Sequence, residues 1–400
     1  MPSLLEAATG LADRTIAFRR TLHRHPEIGL TLPVTRQAVL DEIADLGLPL
    51  RLSEKTSAVV AELAGAADGP TLILRGDMDA LPLQEDTGLP FASTVPGAMH
   101  ACGHDTHVAM LAGAARLLTA RRDQIAGRVL FFFQPGEEGH HGARFALEEG
   151  LLDAPDVIGA FALHITATED SGVVRVRSGP VLAAADEFRV VLTGRGGHAS
   201  APHNANDPVP AACEIVTALQ VVLGRRVSAF DPAVITVGRI TAGTTSNVIP
   251  ASAELFGTIR TLSEETRADL HARVRTVADG VAAAHELTAD VEIIPGYPVT
   301  VNDAEFAAAV RLAATRALGE NGVTEMAEPL MGAEDFSYVL AKYPGAMAFL
   351  GACPPDLTPD VAAPNHSNLV VFDETAMTAG VATYAAVALD RLGRPGTAVN

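Results

Sequence analysis

Two adjacent carboxylates, Glu137 and Glu138, close an otherwise apolar stretch, RVLFFFQPGEEGHHG, at residues 128–142. Residues 129–133 have the composition of a strand buried on both faces, and Pro135 and Gly136 stop it. A deep strand ending in two anions needs positive charge beside them, because an unpaired buried charge is strongly unfavourable. A metal ion would supply it. One carboxylate could bind the metal while its neighbour takes a proton from an attacking water. The plainer alternative is an exposed acidic loop.

Other stretches carry side chains of the same kind. In MHACGHDTH, residues 99–107, Asp105 or Thr106 is placed to cap a helix running to Ala120, which leaves Cys102 and His104 in the loop before it. Gly103 lets the backbone fold so that both reach one point. Thiolate plus imidazole suits zinc and its neighbours; a buried free cysteine beside a capping histidine is the alternative. His107, inside the helix, reads as packing or support. A strand at residues 157–163 runs into His164. A further strand ends in RGDMDALP, where Asp77 and Asp79 lie on the same side of an extended chain at the carboxyl end. Turn acceptors would look the same. His366 stands alone in the loop PNHSN ahead of an apolar strand. GGHASAPH, with His198, follows a strand and reads as a glycine-rich loop or an ordinary turn. His23 and His25, before Pro26, read as surface residues. Eight of the thirteen histidines fall between His100 and His203, a clustering that itself points to metal.

Composition narrows the partners. The net charge of −19 argues against nucleic acid and anionic membranes. Three scattered cysteines form no disulfide framework, so a reducing, cytoplasmic compartment is expected. The first twenty residues lack a basic segment ahead of a long apolar core, so neither a secretory signal nor a membrane span is expected.

The elements that must position these residues divide in two. Helices at residues 3–24 and 34–46, strands at 58–63 and 71–78, and the segments above alternate as in an α/β domain. From Glu187 the order becomes β-α-β-β-α-β, a ferredoxin-like split unit. The expected organisation is therefore a discontinuous catalytic domain, residues 1–184 and 297–400, with an inserted α+β domain at 185–296. The GRPGTAVN tail, residues 393–400, is expected to fray.

Taken in order, RGDMDALP, MHACGHDTH, QPGEE, ALH, GGHASAPH, NVIP and GAEDFS resemble the M20 metallopeptidase/amidohydrolase family, hippurate hydrolase and auxin-conjugate amidohydrolase subgroup. That resemblance implies an aminopeptidase-type catalytic domain, a mixed sheet flanked by helices, plus a ferredoxin-like lid of a kind that often dimerises, so a homodimer is expected. It implies two divalent metal ions, with zinc first and Mn²⁺, Co²⁺ or Ni²⁺ also suited. Cys102 would bridge them, and His104, Glu138, His164 and His366 would complete the ligand set. Glu137 would be the general base, Asp79 an orienting residue and His198 the oxyanion donor. Asn247 and Arg260 would recognise the substrate carboxylate. Asp77 stands where other branches place a metal histidine, so its role stays open. Where relatives commonly have a run of glycines, this chain has Gly139-His140-His141-Gly142, which narrows the loop.

The activity implied is hydrolysis of an N-acyl amino acid to a carboxylic acid and an amino acid. A dipeptidase or carboxypeptidase of the same family is the alternative. A non-catalytic metal protein is another, but a closed structural site would not keep a spare glutamate beside its ligands.

Overall fold

The apolar runs pair into one mixed eight-stranded sheet in the computed structural model, which describes residues 2–394. Its order is Leu50–Leu52, Val59–Ala64, Ala126–Gln134, Ala67–Asp77, Val157–Thr166, Gly345–Gly351, Val174–Val176 and Val323–Glu325. Ala67–Asp77 lies parallel to both of its neighbours, and Val157–Thr166 is also parallel to Gly345–Gly351. These inner strands are buried, as their near-continuous apolar sequences require. The helix His104–Thr119 packs on the sheet and is itself covered by Ala12–His23 and Met377–Leu392. Buried on nearly every side, it carries a long apolar and small-residue run in place of an amphipathic pattern.

This sheet belongs to a unit built from residues through Gly179, Val301–Glu328 and the chain from Asp335 on; the second unit is Pro180–Thr300 with Pro329–Glu334. The second unit has a four-stranded antiparallel sheet ordered Ala233–Ala242, Ser252–Thr261, Ala184–Thr193, Thr288–Ile294, with the helices Pro208–Arg226 and Glu264–Ala284 packed against it. That is the split β-α-β-β-α-β arrangement. The second unit also takes in residues 329–334, which the sequence boundaries assign to the first. Leu330 N–H donates to Val181 O at 2.8 Å, and Ala183 N–H donates to Gly332 O at 2.8 Å.

Several local expectations are corrected. The N-terminal helix breaks at Gly10 into Leu4–Thr9 and Ala12–His23, the Gly10 amide closing the first piece on Glu6 and Ala8. His23 is not at the surface. It is 1% exposed, with Nδ1 2.8 Å from Asp105 Oδ2, and Arg19 Nε donates to the same oxygen at 2.6 Å. Residues 369–372 form no strand. Gly393 and Arg394, assigned to a fraying tail, are held by Ile125 and by Gln124 O; the rest of that tail, residues 395–400, lies outside the described residues. No helix among the described residues is long and apolar enough to cross a membrane.

Asp186 anchors the second unit. Its buried carboxylate takes a bidentate pair from Arg267 at 2.8 and 2.7 Å, His271 Nε2 at 2.7 Å and the Gly296 amide at 2.9 Å. Burial opposes its ionisation, but Arg267 and His271 outweigh it and hold the carboxyl well below the usual range. Its stabilisation is therefore complete above the ordinary carboxylate pKa of about 3.9 and is lost as pH falls towards the lower folded value. Asp186→Asn should cost about 3 kcal/mol at neutral pH. In denaturant unfolding, that deficit should shrink below about pH 3.9.

Candidate metal centre

The chemistry-bearing side chains collect at the carboxyl ends of adjacent parallel strands, where open α/β sheets leave a crevice. Asp77 ends one strand, Glu137 and Glu138 follow the next, and His164 lies two residues before the end of Val157–Thr166. Cys102 and His104 come from the loop and first turn of the helix His104–Thr119, and His366 from a loop after Gly345–Gly351. The helix is capped by Gly103 and not by Asp105 or Thr106, because the chain turns there through φ 87°. A side chain at Gly103 is excluded: its Cβ would stand 2.4 Å from Ile165 Cγ2.

Two imidazole Nε2 atoms converge on one thiol. His366 Nε2 lies 3.2 Å from Cys102 Sγ and His164 Nε2 lies 3.4 Å from it. Two groups of ligand atoms, each within 4.8 Å of one another, share that sulfur: Cys102, His104 and His164, and Cys102, Glu138 and His366. Glu138 Oε1 is 3.3 Å from His366 Nε2 and 3.9 Å from His104 Nε2; Glu137 Oε2 is 4.0 Å from His104 Nε2. Backbone carbonyls set the tautomers. His104 Nδ1 donates to Asp79 O at 2.8 Å and His164 Nδ1 to Ile165 O at 2.7 Å, which turns each Nε2 towards the cluster.

These residues fit a cation. His104 Nε2 and Glu138 Oε1 are buried and make no hydrogen bond, and a bound ion would satisfy both. Burial pushes the Cys102 thiol up to about 12, so a thiolate there needs a cation beside it. Burial likewise opposes charging His104, yet Asp77 outweighs it and holds that imidazole well above its usual range. Burial opposes ionising Glu138, and His366 with His104 outweighs it. The donor set of one thiolate, imidazoles and carboxylates suits zinc-like ions.

Asp79 and Asn365 hold the surrounding backbone. Asp79 accepts the amides of Glu137 at 2.9 Å and Glu138 at 3.0 Å, one on each oxygen, so the acidic pair cannot move independently of it. Asn365 was not singled out in the sequence. Its Nδ2 donates to Cys102 O at 3.0 Å and to Ile165 O at 2.9 Å, tying two ligand-bearing segments to the loop of His366. An amide beside a candidate ligand histidine is the signal that could have found it. His140 and His141 belong to no converging ligand group among the described residues, and His141 Nδ1 is 2.9 Å from the Tyr338 hydroxyl.

In the second unit, His198 and Asn247 line a shallow cavity of about 480 Å³. Ser200 N–H donates to His198 Nδ1 at 3.1 Å, so the neutral ring carries its proton on Nε2. Arg260 is not brought to them. It lies on Ser252–Thr261, eight residues and so about 26 Å of extended strand beyond Ser252, the end of the strand next to that cavity.

Known proteins resemble this chain over most of its length. The model of Peptidase family M20/M25/M40 matches residues 73–390. The N-acetylcysteine deacetylase of Bacillus subtilis is 41% identical, covering 84% of this chain and 88% of that protein. The Arabidopsis thaliana IAA-amino acid hydrolase ILR1-like 2 is 37% identical, covering 95% of this chain and 85% of that protein. Among solved structures, a Bacillus subtilis protein described as a dinuclear metal-binding peptidase of the M20 family superposes with a TM-score of 0.83 at 35% identity, covering 96% of this chain and 99% of that one. The chain belongs to peptidase family M20, and it is a hydrolase acting on amide bonds.

Asn365→Asp keeps the side chain's shape but turns an acceptor towards two carbonyls. It should weaken Zn²⁺ binding by about tenfold or more in a calorimetric titration.

Proposed function

We propose that this chain hydrolyses N-acyl amino acids, releasing a carboxylic acid and an amino acid, at a site that takes two divalent metal ions. The observation that carries the reading is Cys102, whose sulfur belongs to two separate ligand groups, while Glu137, which groups with His104 and Glu138, shares no group with Cys102. His104 and His164 would hold one ion, Glu138 and His366 the other, and Cys102 both. Relatives whose names specify an N-acetyl amino acid and an amino-acid conjugate support the substrate class. The M20 structure described as dinuclear supports the ion count. Zinc is our first choice, with Mn²⁺, Co²⁺ and Ni²⁺ as substitutes.

When bound, the metal pair polarises the scissile carbonyl and makes water acidic enough to attack at neutral pH. The remaining work falls to the protein. Glu137 takes the proton that the attacking water loses and passes it to the amide nitrogen as the C–N bond breaks, so one carboxyl serves both transfers. Asp79 holds the Glu137 amide and so fixes where that carboxylate begins. His198, with its proton on Nε2, is assigned the developing oxyanion. Asn247 and Arg260 are assigned the substrate carboxylate. Because Arg260 stands eight residues, about 26 Å of extended strand, beyond Ser252 next to the cavity of His198 and Asn247, one substrate would draw on two copies of the chain. We therefore propose a homodimer that uses the second unit as lid and interface.

Glu137→Gln is the test. It should leave metal uptake unchanged and lower turnover by about 10²- to 10⁴-fold. Amine release would be followed over a panel of N-acetyl and aromatic N-acyl amino acids and free dipeptides. Undiminished turnover by the variant would remove Glu137 from the mechanism, and a wild type active only on dipeptides would reassign the substrate class.

A further inference from the structure

His164 sits where its strand loses a neighbour. Ala67–Asp77 pairs with Val157–Thr166 only as far as Arg75 opposite Ala162. Beyond that point Gly345–Gly351 continues alone on the other side. The amides of Leu163 and Ile165, which flank His164, would then have no strand to donate to on the vacated side. Two fully buried side chains take them instead. Leu163 N–H donates to the Tyr384 hydroxyl at 3.0 Å, and Ile165 N–H donates to His107 Nε2 at 2.7 Å.

Accepting that bond leaves the neutral His107 ring with its proton on Nδ1, which lies 2.5 Å from Asp77 Oδ1. Arg75 Nη1 in turn donates to Asp77 Oδ2 at 2.7 Å. Both ring nitrogens of His107 are thereby committed, and each Asp77 oxygen already meets a donor.

On the two-metal reading above, we infer that His107, held by Asp77, is the positioning residue for the metal ligand His164, and that neither His107 nor Asp77 is itself a ligand. The pair supplies the acceptor that the missing strand would have supplied. It thereby fixes the backbone at Ile165, whose carbonyl orients the His164 ring. Asp77 acquires a role in this way. The strand thus ends in a carboxylate that holds a histidine one layer behind the proposed ligand His164.

The test is Co²⁺ titration of the metal-stripped full-length chain, read by calorimetry and by the thiolate-to-cobalt absorption band. Wild type is compared with His107→Leu, His107→Asn and His107→Gln. Denaturant unfolding of each metal-free variant checks that it is folded. His107→Leu and His107→Asn, which put no acceptor near Ile165 N, should weaken one of the two sites by about 10- to 100-fold. His107→Gln, whose Oε1 can take the place of Nε2, should recover most of that loss. Equal affinities in all four proteins would overturn the positioning role. Loss of one ion by His107→Gln as complete as by His164→Ala would make His107 a ligand and overturn the inference in the other direction. A wild type that takes up fewer than two Co²⁺ would sink the two-metal reading itself, whatever the variants do.

Discussion

A buried thiol surrounded by imidazoles and carboxylates is unstable on its own terms, and the rest of this unit is arranged around that instability. Cys102 is pushed up to about 12 by burial, His104 Nε2 and Glu138 Oε1 make no hydrogen bond, and Asp77 keeps the neighbourhood attractive to positive charge. Leaving buried polar groups without partners costs about 1–3 kcal/mol each, and more where charge is involved. On the two-metal reading, cations complete such a cluster, and the surrounding fold holds its geometry independently of them.

That scaffold consists largely of backbone held by side chains. Asp79 fixes the amides of Glu137 and Glu138, Asn365 binds the carbonyls of Cys102 and Ile165, and His107 and Tyr384 take amides that the sheet leaves over. Each orienting residue grips a peptide group beside a ligand and leaves the ligand side chain's inward atom open. Tautomers follow from the same economy, since carbonyls occupy Nδ1 of His104 and His164. Support of this kind keeps ligands within the narrow range that a functional site tolerates. On the proposed mechanism, the cleft's chemistry therefore depends on residues behind the ligands as much as on the ligands themselves.

Much of this was legible in the chain because it is local. The strand that runs into Glu137 and Glu138 is continuously apolar, and Cys102-Gly103-His104 brings its two donors together within three residues. The split β-α-β-β-α-β order was legible too, since its strands and helices are long and periodic. What escaped depends on distant partners. His23 reads as a surface residue in His-Arg-His-Pro, and its burial is explained by Asp105 and Glu85, 82 and 62 positions away. Asn365 lies 263 residues from the Cys102 carbonyl that it binds. The three-residue strands Leu50–Leu52, Val174–Val176 and Val323–Glu325 are too short to show an alternating pattern. The assignment of residues 329–334 to the second unit likewise rests on hydrogen bonds to residues 181–183, which no local pattern announces.

The central claim is that one sulfur joins two cation sites while Glu137 belongs to neither. Anomalous diffraction at the zinc edge from crystals of the Zn²⁺-loaded protein tests it most directly. The account predicts two peaks about 3.5–4 Å apart, both within bonding distance of Cys102 Sγ, one reaching His104 and His164 and the other Glu138 and His366. A single peak, ions away from Cys102, or a Glu137 oxygen bound to either ion would contradict it.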